Sequence, residues 1–236
     1  MNNFKNEKLL VIAPHSDDEV LGCGGLISKV KNDGGQVFVL IFNLGFEKDD
    51  TKESQEIRKN EVKETMKFLN VDDYHIVNQT PDENRDLDAK PLHSLIEVIE
   101  STSNVSLEKI SPTIVAIPTI FSSHQDHTFA YKVSISALRP HKQNTRHMPK
   151  LIISYEEPEY YFWSAYSEFG NFLPNFYVNL SKNDIENKSN TLNIYSSQLR
   201  EGQRGADNII SLAKIRGNEI GTDYAESYHI HRMIDV

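Results

Sequence analysis

Two short clusters concentrate the residue types that do chemistry. Pro14-His15-Ser16-Asp17-Asp18-Glu19 places one imidazole and three carboxyls within residues 15–19. His15 and Asp18 are three apart, so both point to one side of a helical first turn. A neutral imidazole and a carboxylate make half of a common zinc site. Acids alone would be explained by a helix N-terminus, where each negative charge is worth about 0.3–1 kcal/mol, but capping does not require the histidine. The second cluster, His124-Gln125-Asp126-His127, puts two histidines and an acid into four residues. Its plain alternative is a solvated polar loop. Together the clusters supply a two-histidine, one-carboxylate set with an open coordination position, the mark of a catalytic rather than a structural metal. Hydrolysis at such a metal also needs a general base and an oxyanion stabiliser, for which the remaining acids (Asp17, Glu19) and the remaining histidine are candidates. Spacing alone does not say which acid ligates. His and Asp accept Zn²⁺, Fe²⁺ or another divalent ion.

The neighbouring Gly22-Cys23-Gly24-Gly25 does not match the dinucleotide fingerprint G-x-G-x-x-G, and the acids before it would repel a phosphate. These glycines are read as permitting close backbone packing, and Cys23 as a small buried filler. Composition narrows the classes further. Lys and Arg number 25 against 34 Asp and Glu, a net charge of −9, which argues against a general nucleic-acid binder. One cysteine excludes a disulfide framework and a multi-cysteine metal site. No apolar run approaches the roughly 18 residues of a membrane span, and Leu9–Ala13 is too short for a signal-peptide core. The expectation is a soluble, cytoplasmic protein.

The elements that must position the clusters follow from the hydrophobic pattern. Leu9–Ala13, Val37–Phe42, Thr113–Ile117 and Leu151–Ile153 are continuous apolar runs, as expected of strands covered on both faces, with a weaker strand near Tyr74–Val77. Helical patterns lie between them at Val20–Asn32, Thr51–Leu69, Leu92–Ile99 and His127–Leu138, with two more near Asn183–Gln198 and Gly205–Arg216. The alternation predicts an α/β protein with a three-layer, Rossmann-like fold and a mainly parallel sheet, read as one domain over residues 1–236. Both clusters then fall at strand-to-helix junctions, where sites of such sheets collect. One stretch stands apart: ten of the 22 Phe, Trp and Tyr lie between Tyr155 and Tyr177. A wall over the site that stacks on sugar rings, an interface between copies of the chain, and plain packing are its three readings.

The first cluster resembles the (A/P)-H-P-D-D-E motif of the PIG-L/LmbE-like zinc-dependent N-acetylsugar deacetylases. The second resembles that family's H-x-D-H. Arg58 and Glu61, Ser197-Gln198, Arg216-Gly217 and Tyr224-Ala225-Glu226-Ser227-Tyr228 extend the resemblance along nearly the whole chain. The resemblance implies metal-dependent hydrolysis of the N-acetyl group of an amino sugar: a glycan, a glycoconjugate or a nucleotide sugar of the N-acetylglucosamine type. It assigns Zn²⁺ to His15, Asp18 and His127, the general base to Asp17, and the oxyanion contact to His124 oriented by Asp126. Arg58 and Asp86 are expected near the sugar by looser resemblance, and Trp163 as an aromatic contact. A surface salt bridge is the alternative for Arg58. Ser16 replaces the family's proline, and Ser122 stands where many relatives carry a carboxylate or amide. Two competing classes are a non-catalytic metal- or carbohydrate-binding module on the same fold and a nucleotide-binding protein.

Overall fold

The computed structural model describes residues 3–45, 51–80, 87–142, 145–158, 171–198 and 205–235. The apolar runs form β1 (Lys8–His15), β2 (Gln36–Asn43), β3 (Asp73–Asn78), β4 (Ile114–Ile117) and β5 (Leu151–Tyr155), all parallel. Two further strands, β6 (Phe176–Leu180) and β7 (Tyr224–Met233), run antiparallel to one another, and β7 pairs antiparallel with β5. The sheet order is β3-β2-β1-β4-β5-β7-β6. The mostly parallel α/β architecture matches the expectation. The antiparallel end was not foreseen, because β6 and β7 carry polar residues that break up any apolar run.

Helices cover both faces. The helices α1 (Asp18–Asn32), α2 (Lys52–Phe68), α6 (Lys182–Ile194) and α7 (Ala206–Ile220) pack apolar residues with Val11, Val39, Ile153 and Val178 in one core. On the other face α3 (Leu92–Glu97), α4 (Leu107–Ile110) and α5 (Gln125–Ala137) pack with Leu10, Leu40, Val115 and Ile152. Alternating residues of each strand feed the two cores, which is why the strands read as unbroken apolar runs. A π-helical turn, Val98–Thr102, continues α3.

The glycines of α1 serve close packing. A Cβ on Gly22 would lie 2.2 Å from the ring of Tyr155, and one on Gly25 would lie 2.4 Å from Leu180. Tyr155 is fully buried and donates its hydroxyl to the Ile12 carbonyl of the central strand at 3.0 Å. Beside them Glu226 accepts the backbone N–H groups of Gly25 and Leu26 at 2.8 and 2.7 Å and the Lys188 ammonium at 2.6 Å, while Lys188 also reaches the Leu21 carbonyl. Each charged group of the buried Lys–Glu pair thus has hydrogen-bond partners besides the other, the condition under which burying charge is tolerable. It needs the space the glycines leave. Cys23 is fully buried in the same layer, and burial pushes its thiol well above the ordinary range, consistent with a filler role. Among the described residues no helix is long and apolar enough to cross a membrane.

Candidate metal and catalytic site

The parallel strands bring both clusters to one edge of the sheet. His15 ends β1, and α1 begins three residues later at Asp18. His124 caps the N-terminus of α5, which follows β4, and His127 lies in its first turn. The three imidazoles form a triangle with ring centroids 5.0–5.1 Å apart. Within it three donor atoms converge: His15 Nδ1 lies 3.2 Å from His127 Nε2, and Asp18 Oδ2 lies 3.4 and 3.3 Å from those two nitrogens. Around a tetrahedral ion bound at about 2.0–2.2 Å, ligand atoms stand about 3.3–3.6 Å apart. The set therefore has the spacing of three ligands of one ion.

The far side of each imidazole supports the same assignment. His15 Nε2 is 2.9 Å from Asp126 Oδ2, and His127 Nδ1 is 2.9 Å from Glu157 Oε1. The Asp126 carboxylate accepts the proton of the outer His15 nitrogen, and Glu157 stands at ion-pair distance from the outer His127 nitrogen, the placement of outer carboxylates behind histidine metal ligands. Without a cation the same surroundings favour protons. Burial works to lower the pKa of His15, but hydrogen bonds that it donates to Asp126 and Asp18, and the charges of those acids, outweigh it and raise it to about 10. His127 is raised as well, against burial, by Asp18 and Glu157. A second grouping of His15, His124 and Asp126 also has metal-binding spacing. Its closest contact is the His15–Asp126 pair already described, which a hydrogen bond accounts for.

His124 differs from its neighbours. Burial and the two nearby histidines lower its pKa to about 4, so it is neutral at ordinary pH. Its Nδ1 accepts the Asp126 backbone N–H at 3.2 Å. The proton of the neutral ring therefore sits on Nε2, which makes that atom a hydrogen-bond donor. Asp126 contacts His124 through its backbone N–H, while its carboxylate turns to His15. Ser122 accepts the His124 backbone N–H at 3.2 Å, so the serine found where relatives carry an acid or amide shapes the helix start.

Asp17 is buried and adopts a left-handed backbone, φ 104° and ψ −28°, at the N-cap of α1. Its N–H is accepted by Glu19 Oε2 at 3.1 Å. Glu19 is fully buried, and its other oxygen accepts the Tyr195 hydroxyl at 2.5 Å. Burial raises the Glu19 pKa to about 8, against the Tyr195 hydrogen bond. Both Glu19 oxygens are thus engaged in hydrogen bonds within the protein. Arg58 is buried on α2 rather than exposed, and its guanidinium donates to the Gly45 carbonyl at 2.7 Å beyond β2. Asp86 and Trp163 lie outside the described residues, as do Tyr160, Tyr161, Phe162, Tyr166 and Phe169. Of the remaining aromatics Tyr155 and Phe172 are buried, and Phe176 and Tyr177 stand on β6.

Glu157 and Tyr195 escape sequence reading. Glu157 sits two residues past the end of β5, the kind of strand-end position where sites collect, but Glu156 before it and Glu159 two residues after it hide it. The expected result for Glu157→Gln is about a 10-fold loss of metal affinity, the lower end of what such outer contacts contribute. Competition with a chelating dye measures it, and unchanged affinity would show that the contact does not tune the ligand.

Several solved structures share the fold. The conserved protein TT1542 from Thermus thermophilus is 24% identical with a TM-score of 0.73, covering 97% of this chain and 96% of that one. An N,N'-diacetylchitobiose deacetylase from Pyrococcus horikoshii is 22% identical, with a TM-score of 0.68 and coverage of 95% and 83%. GalB, the 4-carboxy-2-hydroxymuconate hydratase of Pseudomonas putida KT2440, is 16% identical, with a TM-score of 0.71 and coverage of 98% of both chains. The family model described as PIG-L, GlcNAc-PI de-N-acetylase, matches residues 10–138, more than half of the chain and both clusters. The chain belongs to the PIG-L family.

Proposed function

We propose that this protein is a zinc-dependent deacetylase that hydrolyses the N-acetyl group of an amino sugar of the N-acetylglucosamine type, giving acetate and a free amine. The observation that carries the reading is the converging set of His15 Nδ1, His127 Nε2 and Asp18 Oδ2, each histidine backed by its own carboxylate, with neutral His124 beside it. A divalent ion held there would polarise the amide carbonyl and acidify a water toward neutrality. Asp17 is the general base, the role that the family resemblance gives it, while Glu19, the other non-ligand acid of its cluster, is held on both oxygens. Asp17 takes the proton from the attacking water and returns it to the departing amine. His124 donates from Nε2 to the oxygen that gains charge as the carbonyl becomes tetrahedral, and Asp126 keeps His124 and His15 in the tautomers this needs. Arg58 approaches the substrate from the β2 side, with Asp86 and Trp163 as further contacts.

Because the shared fold also carries a hydratase, the test must read the bond that is cleaved. Metal-loaded protein is assayed for acetate release against a panel of N-acetyl sugars, glycoconjugates and nucleotide sugars. Acetate and amine in equal amounts support the reading. No acetate from any member of a broad panel, with metal bound, overturns it and favours a binding module.

A further inference from the structure

The resemblance singled out Glu61 and Ser197-Gln198 without giving them work, and the proposed reaction does not use them. In the structure they form one device with Tyr195. Beyond the C-terminus of α6, residues Tyr195 to Gln198 make a turn closed by a 2.9 Å bond from the Gln198 N–H to the Tyr195 carbonyl. The two ends of this turn reach the two residues that flank Asp17-Asp18. The Tyr195 hydroxyl donates to Glu19, which accepts the Asp17 N–H, and Gln198 Nε2 donates to the Ser16 hydroxyl at 2.8 Å. The middle of the turn is tied to α2. Glu61 accepts from the Ser196 hydroxyl, the Ser197 N–H and the Ser197 hydroxyl at 3.1, 2.8 and 2.6 Å.

We propose that the Tyr195–Gln198 turn is a clamp that fixes the backbone of Asp17, with Tyr195 and Gln198 as positioning residues and Glu61 as its anchor. A non-glycine residue at φ 104° occupies a sparsely populated conformation, which persists only where the surroundings over-determine it. Here the surroundings are the clamp on both sides and the β2 edge. Ser16 donates its N–H to the Asn43 carbonyl at 3.1 Å and its hydroxyl to the Leu44 carbonyl at 2.8 Å. The serine that replaces the family's proline is what gives the clamp its second grip, because proline has neither the N–H nor a hydroxyl. Ser16, Glu19 and Tyr195 are almost wholly buried, so water does not compete for these bonds.

The importance of Asp17 rests on the deacetylase reading, so the test carries a readout that does not need turnover. Tyr195→Phe removes one hydroxyl from one grip, and Gln198→Ala removes the other from a partly exposed residue. In each variant kcat is expected to fall about 10- to 100-fold, the range for residues that orient reacting groups, with KM and bound metal within twofold of the parent. The Asp17 amide resonance is expected to move in Tyr195→Phe, and its hydrogen exchange to accelerate at least about 10-fold. Unchanged kcat, or a change in KM alone, overturns the proposal. If the parent protein releases no acetate, the deacetylase reading fails by itself. The Asp17 amide then decides the clamp: a shifted, faster-exchanging amide supports it, and an unmoved one overturns it.

Discussion

Asp17→Asn is expected to bind about one divalent ion per chain and to lose turnover by about 10²–10⁴-fold, the contribution of a positioned general base. The amide is nearly isosteric with the carboxylate but does not take up a proton near neutrality. In the proposed site the ligand atoms are those of His15, Asp18 and His127, a set with metal-binding spacing, so the substitution is expected to leave it untouched. Asparagine is also the right replacement for the backbone. Beside glycine, Asn and Asp are the residues that tolerate left-handed geometry best, and position 17 requires it. Asp17→Ala would mix loss of the base with added strain. Metal analysis and steady-state kinetics on the same preparation separate the outcomes. Loss of metal would move Asp17 into the ligand set, and retained turnover would return the role of base to another acid. The size of the fall also ranks the neighbours: Glu19, bound on both oxygens, cannot step in.

What the sequence made legible followed from how locally each feature is encoded. The strands from Leu9, Val37, Thr113 and Leu151 are buried on both faces, so burial wrote itself as continuous apolar runs. β7 is buried at Ala225, Glu226, Ser227 and Tyr228 as well, but its Glu226 is neutralised by Lys188 and two helix N–H groups. A strand whose burial depends on distant partners leaves no apolar run. β6 is only five residues long, half-buried at Phe176 and Tyr177 and then buried, exposed and buried at Val178, Asn179 and Leu180, and it begins at the end of the aromatic stretch. The site divides in the same way. His15 with Asp18, and His124 with His127, are pairs three residues apart that a helix start brings together, so spacing exposed them. The contacts of Glu157 to His127 and of Tyr195 to Glu19 span 30 and 176 residues, and only the folded sheet brings them together. Asp126 shows the limit within a legible motif. Its type and place were readable, but not that its carboxylate turns to His15 while its N–H serves His124.

Removing the metal is expected to invert the pH dependence of stability. In the metal-free protein His15 has a pKa raised to about 10 by Asp126 and Asp18 against burial, and His127 is raised by Asp18 and Glu157. An unfolded histidine titrates near 6.5. The folded chain therefore holds protons that the unfolded chain releases above pH 6.5. Their stabilising effect is complete below that pH and is lost as pH rises toward 10. Glu19, raised to about 8 by burial, has the same sign over a lower window, because the unfolded acid releases its proton near 4.5. His124, lowered to about 4 by burial and its two neighbours, has the opposite sign, but its effect is complete by pH 6.5. Between pH 6.5 and 9.5 the metal-free melting temperature should thus fall, by about 2–8 °C if 1–2 kcal/mol is lost from a chain of this size. The metal-loaded protein should not follow. A cation binds the imidazole nitrogens only after their protons leave, so its affinity, and the stability it adds, rise with pH over the same range. Calorimetric scans in chelator and with stoichiometric zinc should therefore diverge as pH increases. Parallel curves would mean that the ion does not bind at His15 and His127, and a metal-free melting temperature that rises with pH would mean that the two histidines are neutral without it.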